Sequence, residues 1–316
     1  MITHIPSLRD IRFVLEEVGG LDPITALPGF EEANAEMADS ILTEASHIAE
    51  GILSPLSRVG DQAGPRLENS VVRTSPGWSD AWNTIVEGGW NGLPFPVEFG
   101  GMGLPNLFNH AVHEMWRAAN MAFTLNPVLT QGAVIALVRY GAEELKARYL
   151  AKLVSGEWTG AMNLTEPQAG SNLAAVRTKA APEGDAHRIT GAKILITHAD
   201  HDLTENIVQV VLARLPDAPF GVKGISLFVA PKILGDGTRN DLACVSPEHE
   251  LGIHGGPTAV MSFGDHGGAW GELVSQPNRG LEYMFTMMNH AHPAVGLQGL
   301  AIAERAYQQA VSRGPN

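Results

Sequence analysis

The residues best suited to hold a ligand lie in the segment Trp158–Asn172. This segment combines an apolar entry, a hydroxyl residue, an acid followed by proline, and a turn of small residues. The small side chains of Ala169-Gly170-Ser171 let backbone amides approach a ligand closely, and the hydroxyls of Thr165 and Ser171 can hydrogen-bond at its polar edge. The segment is therefore a candidate ligand rim. Composition alone favours the other interpretation, a strand followed by a Pro-Gly turn without a ligand.

A second glycine-rich run, Gly100-Gly101-Met102-Gly103, is superficially like a dinucleotide-binding loop. Such a loop follows a strand, opens a helix and carries its third glycine at a fixed offset. The present run follows another loop and lacks both the offset and a βαβ context. A tight surface turn is therefore favoured.

Two histidines, His198 and His201, could offer imidazoles to a metal ion. A protein zinc site needs three or four ligands, and the spacing indicates no third distant one. A solvated loop between strands is favoured, and no metal is expected. The single cysteine, Cys244, excludes an intrachain disulfide and suits a reducing compartment.

The composition narrows the possible partners. The 316 residues carry a formal net charge of -13, which repels a nucleic-acid backbone, so nucleic acid is not expected as a partner. The first ten residues lack a basic head followed by an apolar core, and no stretch approaches the roughly 18 apolar residues of a bilayer span. A cytoplasmic protein with no membrane partner is predicted.

The elements that must position these residues fall into three blocks. Apolar residues at three and four spacing predict helices in residues 1–155 and again in 278–316, whereas alternating β-branched runs predict strands in 156–277. Clusters of proline and glycine predict loops at Gly60–Gly77 and Gly88–Leu107. The predicted helices are Ile11–Val18, Ala35–Ile52, Asn106–Asn120, Leu129–Leu153, Gly280–Asn289 and Ala294–Val311, and the predicted strands are Ile189–Thr197, Ile207–Leu215 and Gly224–Ala230.

The fold class predicted from these blocks is α+β. It consists of an N-terminal helical domain (1–155), a middle antiparallel β domain (156–277) and a partial C-terminal helical domain (278–316). The segments between strands are too short for crossover helices, which favours an antiparallel sheet or barrel. The two final helices cannot bury their apolar faces alone, so they must pack on the first domain, on another chain or on further sequence.

The ligand-rim segment resembles the flavin-binding signature of the acyl-CoA dehydrogenase family, Thr-Glu-Pro-x-Ala-Gly-Ser-Asp. Here it reads Thr165-Glu166-Pro167-Gln168-Ala169-Gly170-Ser171-Asn172. A second family element, Gly-x-Lys followed by an Ile-Thr pair, is matched by Gly191-Ala192-Lys193-Ile194-Leu195-Ile196-Thr197. The resemblance covers nearly the whole chain and implies a helical domain, a β domain and a C-terminal helical bundle. Glu87–Gly92, His201–Asn206 and Lys223–Phe228 are similar to the 3-methylmercaptopropionyl-CoA dehydrogenase subgroup.

The resemblance implies FAD as the cofactor. It places Leu195 where many relatives carry an aromatic residue against the isoalloxazine, Thr197 near flavin N5, and Ser171 at the cofactor phosphates or the acyl-CoA. The cofactor-binding residues that it implies are Met162, Asn163, Leu164, Thr165, Gly170, Ser171, Leu195, Ile196 and Thr197, and the substrate-binding residue is Ser171.

The resemblance also implies an activity. A carboxylate would remove the α-proton of an acyl-CoA thioester while FAD accepts the β-hydride, giving a trans-2-enoyl-CoA. The subgroup suggests 3-(methylthio)propanoyl-CoA as the substrate. Electron-transfer flavoprotein would take the electrons, and a homo-oligomer active in fatty acid metabolism is expected.

The sequence departs from the family at several positions. The family's catalytic glutamate lies in the C-terminal bundle, beyond Asn316, and no residue here matches it; Glu166 is predicted to be structural, and Glu282 and Glu304 to lie at the surface. Asn172 replaces the usual Asp but keeps the capacity to cap a turn. The stretch Asn289–Pro293 stands where an Arg-Leu pair is expected. The alternative function is therefore a flavin- or acyl-CoA-binding chain without the base, and a DNA-associated relative is disfavoured by the acidic charge.

Overall fold

Helices occupy the first part of the chain. The computed structural model describes residues 5–314; residues 1–4, which open the segment considered for a leader, and residues 315–316 lie outside it. The helices are α1 (Leu8–Phe13), α2 (Leu21–Thr25), α3 (Ala35–Ile48), α4 (Ser54–Ala63), α5 (Trp78–Glu87), α6 (Asn106–Ala119), α7 (Met121–Tyr140) and α8 (Glu143–Ser155).

Local signals explain where several of these helices begin and end. The side chain of Asn34 accepts a hydrogen bond from the Met37 amide at the start of α3, and Asn120 does the same for α7 through the Phe123 amide. The pattern predicted as one helix over Leu129–Leu153 is divided between α7 and α8. The division falls at Gly141, whose backbone is extended.

The predicted loop Gly60–Gly77 was only partly right. Helix α3 continues through one wider turn, Ala49–Leu53, into α4, so Gly60 lies inside a helix. A Cβ atom at Gly60 would lie 3.0 Å from the Trp78 ring, which explains why a glycine occupies this helical position. A short hairpin follows, β1 (Arg66–Glu68) and β2 (Val71–Arg73).

The prediction that no segment approaches the length of a membrane span is wrong for helix α7. By length and composition alone this helix could cross a membrane. However, 67% of its most apolar window is buried inside the fold, as is usual for the core helix of a globular domain. Its apolar character is therefore accounted for by packing within this chain.

The middle of the chain forms a sheet that is largely antiparallel, which confirms the predicted fold class. The strands are β3 (Trp158–Asn163), β4 (Lys179–Glu183), β5 (Ala186–Thr197), β6 (Asn206–Ala213), β7 (Ser226–Pro231), β8 (Leu242–Pro247), β9 (Thr258–Phe263) and β10 (Ala269–Leu273). Their order in the sheet is β3-β6-β7-β10-β5-β9-β8, with β4 paired to β5. One pair, β3 with β6, is parallel, which the sequence did not predict.

The prediction of two final helices is wrong. Residues Gly280–Ser312 form one continuous helix, α9, with Pro293 in its interior. A proline removes one backbone hydrogen bond and usually breaks a helix. Here the small buried side chains of Ala291 and Ala294 flank the proline and pack against Val128 of α7, so tertiary contacts hold the helix together across it.

Close backbone approaches fix the helices against the sheet. A Cβ at Gly160 of β3 would lie 2.6 Å from the Cβ of Ala133, so α7 packs directly on this strand. A Cβ at Gly280 would lie 2.5 Å from the Leu227 amide nitrogen, and the Gly280 amide donates to the Ile225 carbonyl at 2.8 Å. Helix α7 thus packs closely on β3, and the start of α9 packs closely on β7.

We predict that Gly280→Ala destabilises the fold. The added methyl group meets the backbone of β7, which cannot move aside as a side chain can, and overpacking of this kind costs about 1–3 kcal/mol. Gly296→Ala is the matched control, because Gly296 lies on the same helix and a Cβ there would meet no atom of residues 5–314 within 4 Å. Thermal unfolding should show a lower Tm for Gly280→Ala alone, and equal Tm values would contradict the tight approach.

Candidate cofactor site

The signature segment forms a tight turn immediately after β3. The Glu166 amide donates to the Ala169 carbonyl at 3.0 Å, and the Ala169 amide donates back to the Glu166 carbonyl at 2.9 Å. Pro167 lies within this reciprocal pair. The turn agrees with the structural role predicted for Glu166.

The carboxylate of Glu166 is buried and fully engaged, with only 3% of its surface exposed. Its Oε1 accepts hydrogen bonds from Lys193 Nζ at 2.8 Å, from Thr178 Oγ1 at 2.6 Å and from the Thr178 amide at 3.1 Å. Its Oε2 accepts from the Arg177 amide at 2.7 Å and from Gln168 Nε2 at 2.6 Å. With five donors around it, the carboxylate acts as an anchor for the surrounding backbone.

The electrostatics keep Glu166 and Lys193 charged. Burial raises the pKa of Glu166, but the Lys193 ammonium and the surrounding donors more than offset it, so that the pKa is lowered overall. Burial lowers the pKa of Lys193 to about 8, against the opposing effect of Glu166. At neutral pH the two side chains therefore form a buried ion pair.

Lys193 also joins the signature turn to the end of β5. Its Nζ donates to the Leu164 carbonyl at 3.1 Å, and the neighbouring Ile194 amide donates to the Thr165 carbonyl at 3.0 Å. The register of β5 with β9 shifts between Lys193 and Ile196, forming a bulge. At this bulge Leu195 adopts a left-handed φ of 57° and leaves 52% of its surface exposed.

The residues implied as cofactor contacts differ in whether their side chains or only their backbone atoms are accessible to a ligand. Asn163 and Ile196 are buried: the Asn163 side chain donates to Gln209 at 2.8 Å, and Ile196 packs in the core of the sheet. Only their backbone could meet a ligand. Met162 and Leu164 pack against apolar residues on the α7 side of the sheet, whereas Thr165 and Thr197 are half-buried.

Gly170 and Ser171 are exposed at the far side of the turn. A Cβ at Gly170 would meet no described atom within 4 Å, so a ligand could approach its backbone freely. Together with the exposed Leu195 side chain, this open turn fits a group that has a flat apolar part and a polar, phosphate-bearing part. FAD has both, so the residues present are compatible with it.

Two family models match the chain in succession. The model of the acyl-CoA dehydrogenase N-terminal domain matches residues 65–157, and that of the middle domain matches residues 161–266. Together they cover more than half of the sequence. The chain belongs to the acyl-CoA dehydrogenase family. Members of this family depend on FAD, in agreement with the predicted cofactor.

Relatives of this chain include the 3-methylmercaptopropionyl-CoA dehydrogenase of Ruegeria pomeroyi, which is 48% identical over 98% of this chain and 53% of its own length. The chain spans about half the length of the curated relatives it matches. A chain solved in work on the electron transferring flavoprotein of Acidaminococcus fermentans has a TM-score of 0.74 at 27% identity, covering 87% of this chain and 67% of that one. Butyryl-CoA dehydrogenase from Megasphaera elsdenii shares the fold, with a TM-score of 0.74 at 23% identity over 88% and 68% of the two chains.

The histidine-containing segment His198–His201 is buried, so the prediction of a solvated loop is wrong. His198 Nε2 donates to the Ala122 carbonyl at 3.1 Å, and His201 bonds Thr159 Oγ1 at 3.0 Å. Between them Asp200 forms a buried ion pair with Lys232. These partners come from distant parts of the chain and tie the segment into the fold. Within residues 5–314 no cluster of three potential metal ligands occurs.

Two further features bear on the sequence predictions. The side chain of Asn172 does not cap the turn Leu173–Ala175 that follows it; the backbone carbonyl of Asn172 accepts the Ala175 amide instead. The run around Gly101 is a tight turn, since a Cβ there would overlap the Phe95 carbonyl. Thr178, a principal partner of Glu166, was missed because it lies outside both family motifs and only folding brings it near.

We predict that Glu166→Gln strongly destabilises the fold of this chain. Removing the carboxylate leaves the Lys193 ammonium buried without a counter-ion, and breaking a buried pair in this way costs about 3–5 kcal/mol. The matched control is Glu183→Gln, because the Glu183–Arg188 pair is largely exposed and screened by water. Urea unfolding should show a large decrease in the free energy of unfolding for Glu166→Gln and little change for Glu183→Gln.

The pH dependence of stability provides a second readout. Because the pKa of folded Glu166 is lowered from its ordinary 4.5, its stabilising contribution is fully present above that pH and is lost as the pH falls through the lower, folded value. Glu166→Gln should remove this acid-labile component. If the free energy of unfolding depends on pH in Glu166→Gln as it does in the wild type, the stabilising role of the Glu166 carboxylate is contradicted.

Proposed function

We propose that this chain holds FAD and contributes to the α,β-dehydrogenation of an acyl-CoA thioester to the trans-2-enoyl-CoA. One observation carries the proposal: the hydrogen bond from the Ile194 amide to the Thr165 carbonyl joins the signature turn to the bulge at Leu195. The two segments that the family uses for its flavin are thereby fixed side by side. We further propose the division 1–155, 156–277 and 278–316.

Each segment has a distinct role in this proposal. When bound, FAD supplies the hydride acceptor. The exposed Leu195 side chain covers one apolar face of the ring, and Thr165 and Thr197 hydrogen-bond its polar edge. Gly170 and Ser171 let backbone and hydroxyl donors approach the phosphates, and Ser171 also contacts the acyl-CoA. Met162 and Leu164 pack on the helices and hold the rim in place.

The proposed substrate is 3-(methylthio)propanoyl-CoA. The support is the 48% identity with the Ruegeria pomeroyi 3-methylmercaptopropionyl-CoA dehydrogenase, since no cavity geometry among the described residues defines the acyl group. Butyryl-CoA dehydrogenases of Syntrophomonas wolfei, at 31% and 33% identity, support acyl-CoA as the substrate class.

A binding function without turnover is the second candidate. A general base must lie within reach of the substrate α-proton. Glu166 has five donors on its carboxylate, and Glu282 is paired with Arg279 at 2.6 Å, so neither is poised as a base. This observation favours a chain that binds flavin or acyl-CoA without completing the reaction itself.

The proposal extends to partners and a cellular location. We propose that electrons pass to electron-transfer flavoprotein, in line with the structural likeness to the Acidaminococcus fermentans chain. We also propose a homo-oligomer that works in fatty acid metabolism. A cytoplasmic location is compatible with the single cysteine, which is buried and unpaired.

We predict that Leu195→Asn weakens FAD binding. Asparagine tolerates the left-handed conformation at this position, so the bulge is kept while the apolar contact is lost. The loss of one buried leucine contact corresponds to about tenfold in the dissociation constant. Titration of the full chain with FAD, followed by flavin fluorescence, measures the effect.

Leu27→Asn is the matched control for this titration. Leu27 is 51% exposed, close to the 52% of Leu195, but it follows α2 in the helical part of the chain and belongs neither to the signature turn nor to the bulge. Its substitution should leave FAD binding unchanged. Equal weakening by both variants, or by neither, would refute the contact at Leu195, and a wild-type chain that does not bind FAD would refute the proposed function.

Loss of flavin absorbance on addition of acyl-CoA tests turnover. With the FAD-loaded chain, 3-(methylthio)propanoyl-CoA should reduce the absorbance faster than pentanoyl-CoA, which has the same chain length with a methylene in place of sulfur. Equal rates would remove the support for a thioether substrate. Bound FAD whose absorbance neither thioester changes would establish the binding-only candidate.

A further inference from the structure

Arg117 is a buried cation without a counter-ion among residues 5–314. It lies on α6, is 1% exposed, and its Nε and Nη1 atoms meet no acceptor within that range. No carboxylate there forms a salt bridge with it. Burial lowers the pKa of Arg117 only to about 10, so the guanidinium stays charged at neutral pH. An isolated buried charge is costly, and such groups are normally paired.

The groups around Arg117 add no negative charge. His110 and His113 precede it on the same helix, and His290 of α9 stacks on His110 with ring centroids 6.5 Å apart. Burial, reinforced by His110 and Arg117, lowers the pKa of His290 to about 4, and the pKa values of the other two imidazoles are also lowered. At neutral pH all three rings are therefore uncharged and can donate one hydrogen bond each.

The charged groups at the interface of α6 and α9, hereafter the seam, form no ion pair with Arg117 among the described residues. Glu114 of α6 and Glu304 of α9 line an apolar groove beside the seam, where Glu304 helps burial to raise the pKa of Glu114. Neither carboxylate bonds Arg117. Arg305 of α9 brings a second guanidinium to the same seam, donating to the Ala118 carbonyl at 3.4 Å and to Ser57 at 3.2 Å.

We propose that Arg117, with the imidazoles beside it, forms a binding site for a small monovalent anion of formate or chloride size at the seam between α6 and α9. The bound anion would neutralise the guanidinium and hold α9 against α6. Because Ala291 and Ala294 of α9 pack near Met162, the site would also support the helix that borders the candidate cofactor site. This inference does not depend on the proposed function.

The test compares two carboxylates that differ in size. Thermal unfolding of the full chain is measured in sodium formate and in sodium gluconate, at equal pH and ionic strength. An anion that binds only the folded state raises its stability, so the wild-type Tm should be about 3 °C higher in formate. Arg117→Met should abolish this difference, because the cation is gone.

Arg58→Met is the control, since Arg58 is an exposed arginine that lines a surface groove and forms no salt bridge among the described residues, and it should retain the wild-type difference. Equal wild-type Tm values in the two salts, or a difference that persists in Arg117→Met, would overturn the proposal. If Arg117→Met does not fold, crystals of the wild-type chain soaked in bromide decide the matter. An anomalous peak within hydrogen-bond distance of Arg117 supports the site, and water alone there refutes it.

Discussion

The buried ion pair between Glu166 and Lys193 is the interaction on which the candidate site depends. It joins the turn after β3 to the bulge at the end of β5, two segments that no regular strand pairing brings together at this point. A buried pair stabilises a fold only when its remaining polar atoms are also satisfied. Here the amides of Arg177 and Thr178 and the Leu164 carbonyl complete the set, so the pair fixes backbone as well as side chains.

Helices α7 and α9 provide the second constraint on the position of the candidate site. Glycines at the contact points allow α7 and α9 to approach the sheet backbone closely, and the apolar face of Met162 packs between them. The rim residues are therefore held from two directions, by the ion pair on the sheet side and by the helices on the other. Such support from rigid elements is what lets a short turn present its amides and hydroxyls in one arrangement.

Polar groups inside the fold concentrate at the junctions between elements. The Asp200–Lys232 pair and the hydrogen bonds of His198 tie the loop after β5 to α7 and β7, whereas Arg117 lies at the α6–α9 seam without a counter-ion in the described part of the chain. At the first junction Lys232 has Asp200 as its counter-ion. At the second, Arg117 has no counter-ion within residues 5–314, and the proposed anion would supply one.

The sequence by itself determined the family, the succession of a helical, a β and a helical block, and the structural role of Glu166, because these follow from local periodicity and from two short motifs. It did not reveal Thr178 as a partner of Glu166, the burial of His198 and His201, or the continuity of α9 through Pro293. Each of these depends on contacts that local sequence does not show. The Thr178 hydroxyl donates to the Glu166 carboxylate, and His198 donates to the Ala122 carbonyl. Val128 packs against the two alanines that flank Pro293. Local patterns indicate the conformation that a segment prefers. Tertiary packing can override that preference, and its contacts are known only from the tertiary structure.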